Sequence, residues 1–360
     1  MKILITGTTG YIAKRLVLRL LEDGHQLVCC VRDLNRIPDE IEYKDGIEFI
    51  KVDFLEDNLE AFPVDIDAAY YLIHSMSTTA TNFEDLEKRC AQSFKSLVEK
   101  TNCKQVVYLS GIVNDDSLSK HLKSRLEVEK DLKSNQYALT TFRAGIIVGS
   151  GSASFEIIRD IVEKLPLMVT PKWLNTRTQP IAIRDVLSFL VNGLENKEVY
   201  NKSFDICGPE ILTYKEMLLQ FAKVRGLKRY IFTLPVLSPR MSSYWLYFVT
   251  STSFNLAKAL VDSMKVEVVA KANNINEILN VQPIQYRQAV SLAFQKIKQN
   301  AVVSSWKDAI SSGVFNDQLN DHINIPHFGC FRDIRSRKIV DENFTIDKIW
   351  SIGGENGWYS

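Results

Sequence analysis

The stretch that decides the fold is ILITGTTGYIAKRL at residues 3–16. An apolar, strand-like run leads into a turn with the spacing G-x-x-G-x-x-A, and a helix-like run follows. In a dinucleotide-binding turn the first glycine permits the tight bend, the second lets the backbone approach the pyrophosphate, and a small third residue lets helix and strand pack closely. The helix N-terminus then faces the anion. The pattern predicts a phosphate turn made by Gly7, Thr9, Gly10, Tyr11 and Ile12, although any tight strand-to-helix turn favours small residues.

The next apolar run, QLVCCV, ends in a basic residue, Arg32, about twenty positions past the turn. An acidic residue at this strand tip binds the ribose 2′-hydroxyl of NAD, whereas an arginine suits the 2′-phosphate of NADP. The sequence therefore favours NADP(H), with NAD(H) less favoured. Two alternatives stay open. Asp33 is the next residue and would suit NAD(H) if the strand ended one residue later, and Arg32 could independently be only a solvated loop charge.

Apolar runs alternate with helix-like stretches from residue 1 to about residue 210, which is typical of a parallel sheet with crossover helices. Each run is nearly continuously apolar, as burial under helices on both faces requires. We expect an α/β fold: a Rossmann-type doubly wound parallel sheet with a smaller appended substrate region and a partial C-terminal α+β module. The expected domains are 1–230 with substrate-region insertions from about 150, then 231–300 as the rest of that region, and 301–360 as an incomplete last module.

The overall composition limits the partners. Lys plus Arg number 44 against 43 Asp plus Glu among 360 residues, so no nucleic-acid partner is expected. The six cysteines show no metal-ligand spacing and no C-x-x-C pair, which favours reduced thiols in the cytoplasm. No secretory signal is visible. The most apolar later window, Tyr244–Val261, makes a poor membrane-spanning helix, although contact with a membrane surface stays open. The oligomeric state also stays open.

Five motifs carry a family resemblance: TGTTGYIAKRL, VVYLSG, FRAGIIVGSGS, QPIAIRDV and FDICGPEILTYKEM. With them the chain resembles the extended and atypical short-chain dehydrogenase/reductase superfamily over roughly residues 1–295. The segments SPRMSSYWLYFVTS and IWSIGGENGWYS are similar to the NAD(P)H-binding, NmrA-like branch that carries a C-terminal START-like domain of unknown function. Members of that branch extend further, so the chain resembles a truncated form.

The resemblance implies a catalytic serine and a Tyr-x-x-x-Lys pair. Ser110 stands where the serine belongs, but the tyrosine and lysine are replaced by His121 and Arg125. Residues at i and i+4 share one helix face, so both side chains can reach one ligand. Histidine exchanges protons near neutrality, while arginine can hold ribose hydroxyls but stays charged and relays no proton. The alternative is a solvated, charge-rich helix face.

Further cofactor contacts are expected along the same strand edge. Asp53 and Phe54 follow the third strand candidate, where an adenine would lie, with helix capping as the alternative role of Asp53. His74 ends the fourth strand candidate and would lie above the cofactor, or simply close the loop. The resemblance also implies that the backbone of Gly145 and Ile146 passes the nicotinamide.

These features predict an NADP(H)-binding protein that is an oxidoreductase, passing hydride to or from a small carbonyl or enone of unknown identity. The alternative is a catalytically degenerate NADPH sensor or cofactor-stabilised scaffold. No metal-binding motif is present in the sequence, and no bound metal is expected.

Overall fold

The computed structural model describes residues 1–37, 39–42, 44–56, 61–73, 83–113, 120–234 and 264–298. The strands are β1 (Lys2–Ile5), β2 (Gln26–Val31), β3 (Ile47–Lys51), β4 (Ala68–Tyr71), β5 (Gln105–Gly111), β6 (Ala138–Ala144), β7 (Ile147–Val148), β8 (Leu167–Pro171), β9 (Arg177–Thr178), β10 (Ile181–Ala182), β11 (Ser203–Ile206), β12 (Leu212–Thr213) and β13 (Tyr230–Leu234). The helices are α1 (Tyr11–Glu22), α2 (Asp39–Glu42), α3 (Phe83–Val98), α4 (Lys120–Asp131), α5 (Ala153–Lys164), α6 (Ile183–Asn192), α7 (Tyr214–Val224), α8 (Ile275–Ile278) and α9 (Tyr286–Lys298).

Seven strands form one parallel sheet in the order β11-β6-β5-β4-β1-β2-β3. The strands β1 to β3 are added toward one edge of the sheet, and the strands from β4 onward are added toward the other edge, so the strand order reverses between β1 and β4. In doubly wound sheets this switch point opens a crevice at the carboxyl ends of the strands, where ligands bind. The predicted Rossmann-type α/β fold is confirmed, and the phosphate turn leaves the sheet at this crevice.

Strand β1 shows why the sheet is wound on both faces. Ile3 and Ile5 pack into the cluster beneath α1 and α6, while Leu4 between them packs into the cluster beneath α3 and α4. All three side chains are fully buried. Because neighbouring residues of a strand point to opposite faces, only a nearly continuous apolar run satisfies both clusters.

A third apolar cluster holds α5, α7 and α9 together beyond the main sheet. The rings of Phe155, Phe221 and Phe294 meet there with centroids 5.2–5.4 Å apart. This region supplies the smaller appended part of the fold, including the two-stranded parallel sheet of β8 and β13.

The run LTTFRAGIIVG, which reads as one strand, is two. Strand β6 ends at Ala144, and β7 leaves the main sheet to pair with β10, Ile147 beside Ile181. The break falls at Gly145, where an added Cβ would lie 2.1 Å from the Gln179 carbonyl oxygen. Such a close approach of two backbones requires glycine, and an apolar run cannot show that a strand changes partner.

The predicted domain division stays a prediction. By internal contacts the chain divides into Met1–Phe315 and Asn316–Ser360, and the second unit lies wholly outside the described residues. So do the expected START-like module and the apolar window Tyr244–Val261. Among the residues that the structure describes, no helix combines the length and apolarity needed to cross a bilayer.

Candidate functional site

The turn after β1 is shaped by two glycines. Gly7 has a φ of +67°, and an added Cβ would lie 2.7 Å from the Leu72 carbonyl oxygen just past β4. The Gly10 N–H donates to the Gly7 carbonyl at 2.8 Å, and a Cβ on Gly10 would come within 2.9 Å of that oxygen. Both positions therefore exclude larger residues, and they hold the turn against the edge of the sheet at the switch point.

Helix α1 begins directly after this turn with its N-terminus prepared for an anion. Gly10 is the N-cap and supplies no side-chain hydrogen bond, and no acidic residue occupies the first turn. The first N–H groups and the positive end of the helix dipole are therefore available to a negative ligand. Thr9 and Ile12 are half-buried beside them, and Ala13, 1 % exposed, lets the helix pack closely on the sheet.

The first turn of α1 is covered by the segment that follows β7. Arg15 stacks its guanidinium 4.8 Å from the centre of the Tyr11 ring and donates to the Ser150 carbonyl at 2.8 Å. Gly149 lies so close that an added Cβ would be 2.8 Å from the Tyr11 hydroxyl. Burial raises the pKa of Tyr11 to about 12. The sequence reasoning missed Arg15 and Ser150, although the second Gly-rich stretch, GSGS at residues 149–152, was a usable signal.

Arg32 is the first residue after β2, and its side chain is exposed at the tip of the strand. Asp33 caps the short 3-10 helix Leu34–Arg36: its Oδ1 accepts hydrogen bonds from the Asn35 backbone N–H at 3.0 Å and from the Asn35 side chain at 3.1 Å. The carboxylate of Asp33 thus forms hydrogen bonds within a local turn, whereas the Arg32 side chain lies exposed at the end of the strand.

Asp53 lies at the same edge of the sheet as Arg32. The pKa of the Cys90 thiol is raised to about 11, mainly by burial; Asp53 contributes to the rise and Arg32 opposes it, so both charges lie near that thiol. The Asp53 carboxylate accepts from the Leu55 backbone N–H at 3.0 Å, which closes a local turn.

Phe54 contributes its side chain to the core. It is 6 % exposed and meets Phe62 and Phe94 edge-on, with ring centroids 6.2 and 6.0 Å apart. Its main chain is the part that remains for an adenine to contact.

On the other side of the switch point, Ser110 lies at the carboxyl end of β5 and is 4 % exposed. Tyr108, two residues earlier on the same face, donates from its hydroxyl to the Arg125 carbonyl at 3.4 Å. Burial raises the pKa of Tyr108, and both the Arg125 charge and a hydrogen bond with Ser110 act to lower it. The structure therefore brings Ser110 and Arg125 together around Tyr108.

The side chains of the two histidines that the sequence predicts at the site lie outside the described part of the chain. His121 belongs to α4, one turn before Arg125, so the expected i, i+4 relationship holds along the helix. Its side chain and the whole of His74 lie outside the described part of the chain.

Gly145 and Ile146 lie between β6 and β7, with part of their backbone already engaged. The Gly145 N–H donates to the Ile206 carbonyl at 3.2 Å, and the Ile146 carbonyl accepts from Ile181 at 2.9 Å. A carboxamide passing this segment would have to meet the other main-chain groups of these two residues.

Helix α4 is fixed to the sheet by a partly buried ion pair that the sequence analysis did not predict. Arg143 donates to both oxygens of Glu129 at 3.0 and 2.8 Å, and the Ser203 hydroxyl donates to the same carboxylate at 2.6 Å. Arg143 is the residue paired with Ser110 in the sheet. The contact therefore sets the position of α4, and with it Arg125, relative to Ser110.

Within the described residues no group of three or more His, Cys, Asp or Glu side chains could hold a metal ion. Five cysteines are free thiols there, four of them buried. The site is thus a dinucleotide crevice built from backbone, one exposed arginine and buried hydroxyl groups.

Comparison with known proteins agrees with this geometry. Residues 7–146 match a family described as NAD(P)H-binding. The chain is 24 % identical over 245 residues to the photosystem II assembly factor Ycf39 of Trieres chinensis, covering 65 % of this chain and 74 % of that protein. It is 22 % identical over 242 residues to the Ycf39 of Guillardia theta, covering 66 % and 74 %.

Two solved structures share the fold. The UDP-glucuronic acid 4-epimerase of Bacillus cereus, in complex with UDP-glucuronic acid and NAD, superposes with a TM-score of 0.61 at 18 % identity over 83 % of this chain and 99 % of its own. The UDP-glucose 4-epimerase of Thermotoga maritima, with UDP-glucose, gives a TM-score of 0.62 at 12 % identity over 83 % and 99 %.

The fold is Rossmann-type, and the match of residues 7–146 to an NAD(P)H-binding family supports a nicotinamide dinucleotide as the cofactor. Membership of the short-chain dehydrogenase/reductase superfamily, which the sequence motifs indicate, stays a prediction, because the solved structures share only the fold. The NmrA-like branch with its START-like module stays a prediction.

Proposed function

We propose that the chain binds NADP(H) and acts as an oxidoreductase on a small, partly apolar carbonyl or enone. The observation that carries the cofactor preference is the arrangement at the tip of β2, where Arg32 is exposed and the neighbouring Asp33 carboxylate caps a local helix. A guanidinium at this position can hold a 2′-phosphate by charge-assisted hydrogen bonds.

The pyrophosphate would be held by the turn from Gly7 to Tyr11, where uncapped N–H groups of α1 meet it. When bound, the nicotinamide supplies or accepts the hydride. Ser110 orients the substrate oxygen from the end of β5, His121 exchanges the proton, and Arg125 holds ribose hydroxyls. The proximity of Ser110 and Arg125 to Tyr108 supports these assigned roles.

The second candidate is an NADPH sensor or cofactor-stabilised scaffold, and the tyrosines of the site favour it. The Tyr-x-x-x-Lys pair is absent, and neither nearby tyrosine is a ready substitute. Burial raises the pKa values of both Tyr11 and Tyr108, which makes their hydroxyls weaker proton donors near neutral pH. Arg125, permanently charged, relays no proton.

The cofactor proposal is tested by fluorescence titration with NADPH and NADH. A hydrogen bond to a charged group contributes about 1.5–3 kcal/mol, so Arg32→Ala should weaken NADPH binding about 10- to 150-fold and leave NADH binding nearly unchanged. Arg19→Ala is the matched control, because Arg19 lies on α1, is exposed and pairs with Glu22 at 3.3 Å. Equal effects of Arg32→Ala on both cofactors, or no effect, would rule out a 2′-phosphate contact.

The catalytic roles are tested separately with a panel of carbonyl and enone substrates. His121→Ala should lower turnover without abolishing NADPH binding, since the imidazole is assigned to proton exchange. Unchanged turnover removes His121 from the mechanism. If the wild-type chain binds NADPH tightly but consumes no NADPH with any substrate of the panel, the sensor or scaffold function is favoured over the oxidoreductase.

A further inference from the structure

The two-stranded sheet of β8 and β13 exposes an apolar face. In its register Leu167 lies beside Tyr230 and Val169 beside Phe232. These four side chains are 58, 61, 43 and 57 % exposed. The alternate residues of β8 turn inward, so the exposed positions form one continuous surface, called the apolar sheet face below.

This surface is unusual for the molecule. Eight large apolar side chains of the described residues are exposed, and the apolar sheet face holds four of them. The other four, Leu34, Val64, Ile211 and Leu292, are far apart in the sequence. Single exposed apolar residues need no explanation, whereas a contiguous group marks a surface that contacts something other than water.

The two sequence segments that contain the strands are also one-sided in charge. Residues 164–184 and 217–234, which contain the two strands, hold no Asp or Glu in a chain where acids and bases balance at 43 and 44. They hold eight cations: Lys164, Lys172, Arg177, Arg184, Lys223, Arg225, Lys228 and Arg229.

Four of the eight cations pair with acids outside these segments, and part of the positive charge is left without an acidic partner. Lys172, Lys223 and Lys228 are exposed, and none makes an ion pair within the described part of the chain. Arg229 donates to the backbone carbonyls of Val162, Lys228 and Glu163, which are neutral acceptors, so its charge is not cancelled. Lys228 and Arg229 immediately precede β13, and Lys172 immediately follows β8.

We propose that the apolar sheet face docks on the surface of a membrane that contains anionic lipid. An apolar centre with aromatic side chains enters the boundary between headgroups and acyl chains, and surrounding lysines and arginines are attracted to anionic headgroups. The absence of acids from both segments favours this occupant over a second copy of the chain, which would bring the same positive charge to the contact. The proposal goes beyond the cofactor site and does not depend on it.

The test is flotation of the full chain with vesicles of phosphatidylcholine alone or mixed with phosphatidylserine. The wild type should float with the mixed vesicles and less with the neutral ones, and added salt should weaken the binding. The double variant Tyr230→Ser, Phe232→Ser should lower the vesicle-bound fraction at least tenfold. The double variant Lys172→Glu, Lys228→Glu should remove the preference for phosphatidylserine.

Leu292→Ser and Lys100→Glu are the matched controls, because they change exposed residues away from the two strands and should float as the wild type does. Thermal unfolding shows whether each variant is folded, which is expected since the substituted side chains are exposed. A wild-type chain that floats with neither vesicle, or variants that float as well as the wild type, would overturn the proposal. A dimer that the tyrosine and phenylalanine substitutions dissociate, without vesicle binding, would assign the surface to a second copy instead.

Discussion

Replacing Gly7 by alanine separates the two reasons why glycine stands in the phosphate turn. The first is its φ of +67°, a left-handed conformation that costs an L-residue about 1–2 kcal/mol. The second is contact, since the new Cβ would lie 2.7 Å from the Leu72 carbonyl oxygen. A backbone oxygen cannot move aside as a flexible side chain can, and overpacking of this kind costs about 1–3 kcal/mol. Gly7→Ala should therefore destabilise the fold by about 2–5 kcal/mol.

Gly226 offers a matched control at almost the same backbone angle. Its φ is +68°, and an added Cβ would meet nothing within 4 Å. Gly226→Ala should cost only the conformational part, about 1–2 kcal/mol. Urea unfolding of both variants, followed by circular dichroism, measures the difference, and NADPH titration of folded Gly7→Ala should show weakened binding. If the two variants lose the same stability and Gly7→Ala binds NADPH normally, the turn is not fixed by its contact with the end of β4.

Two further predictions concern the packing around the site. Glu129→Ala leaves the partly buried Arg143 charge without its carboxylate and should destabilise the fold by about 1–3 kcal/mol in urea unfolding. Glu127→Ala on the exposed face of α4 should change little, and similar losses for the two variants would contradict a special role of the Arg143–Glu129 pair. The raised pKa of Cys90, about 11, means that the folded thiol keeps its proton between pH 9 and 11 while the unfolded thiol loses it. Stability should therefore fall across that window by up to about 2.7 kcal/mol from this group, and Cys90→Ala should flatten the slope of the urea midpoint against pH; an unchanged slope would show that the thiol ionises alike in both states.

Local features of the fold were predictable from the sequence. The strand, turn and helix at residues 3–16 follow from hydrophobic runs and glycine spacing, and Arg32 falls at the strand tip because β2 ends at the last residue of its apolar run. Parallel order follows from the alternation of strands and helices. These inferences hold because each depends on neighbours in the sequence.

Contacts between distant segments were not predictable in the same way. Arg15 reaches the Ser150 carbonyl across 135 positions of sequence, and Gly145 meets Gln179 only after the chain has turned away from the main sheet. The strands β8 and β13 show the same limit, because their apolar runs indicate burial although one face is exposed. A one-dimensional pattern records polarity but not which partner covers each face.

The hydrogen bonds of Gln179 bear on the order in which the protein can be completed during its synthesis. Its side-chain amide donates to the Gly208 carbonyl at 2.8 Å and accepts from the Ala270 N–H at 3.1 Å, while Asp185 accepts from the Ile284 N–H at 2.8 Å. When a nascent chain has left the ribosome only as far as β11, the residues of the dinucleotide crevice are present, but the Ala270 and Ile284 N–H donors are not yet made. The polar groups of Gln179 and Asp185 are therefore satisfied only after Ala270 and Ile284 have been synthesised.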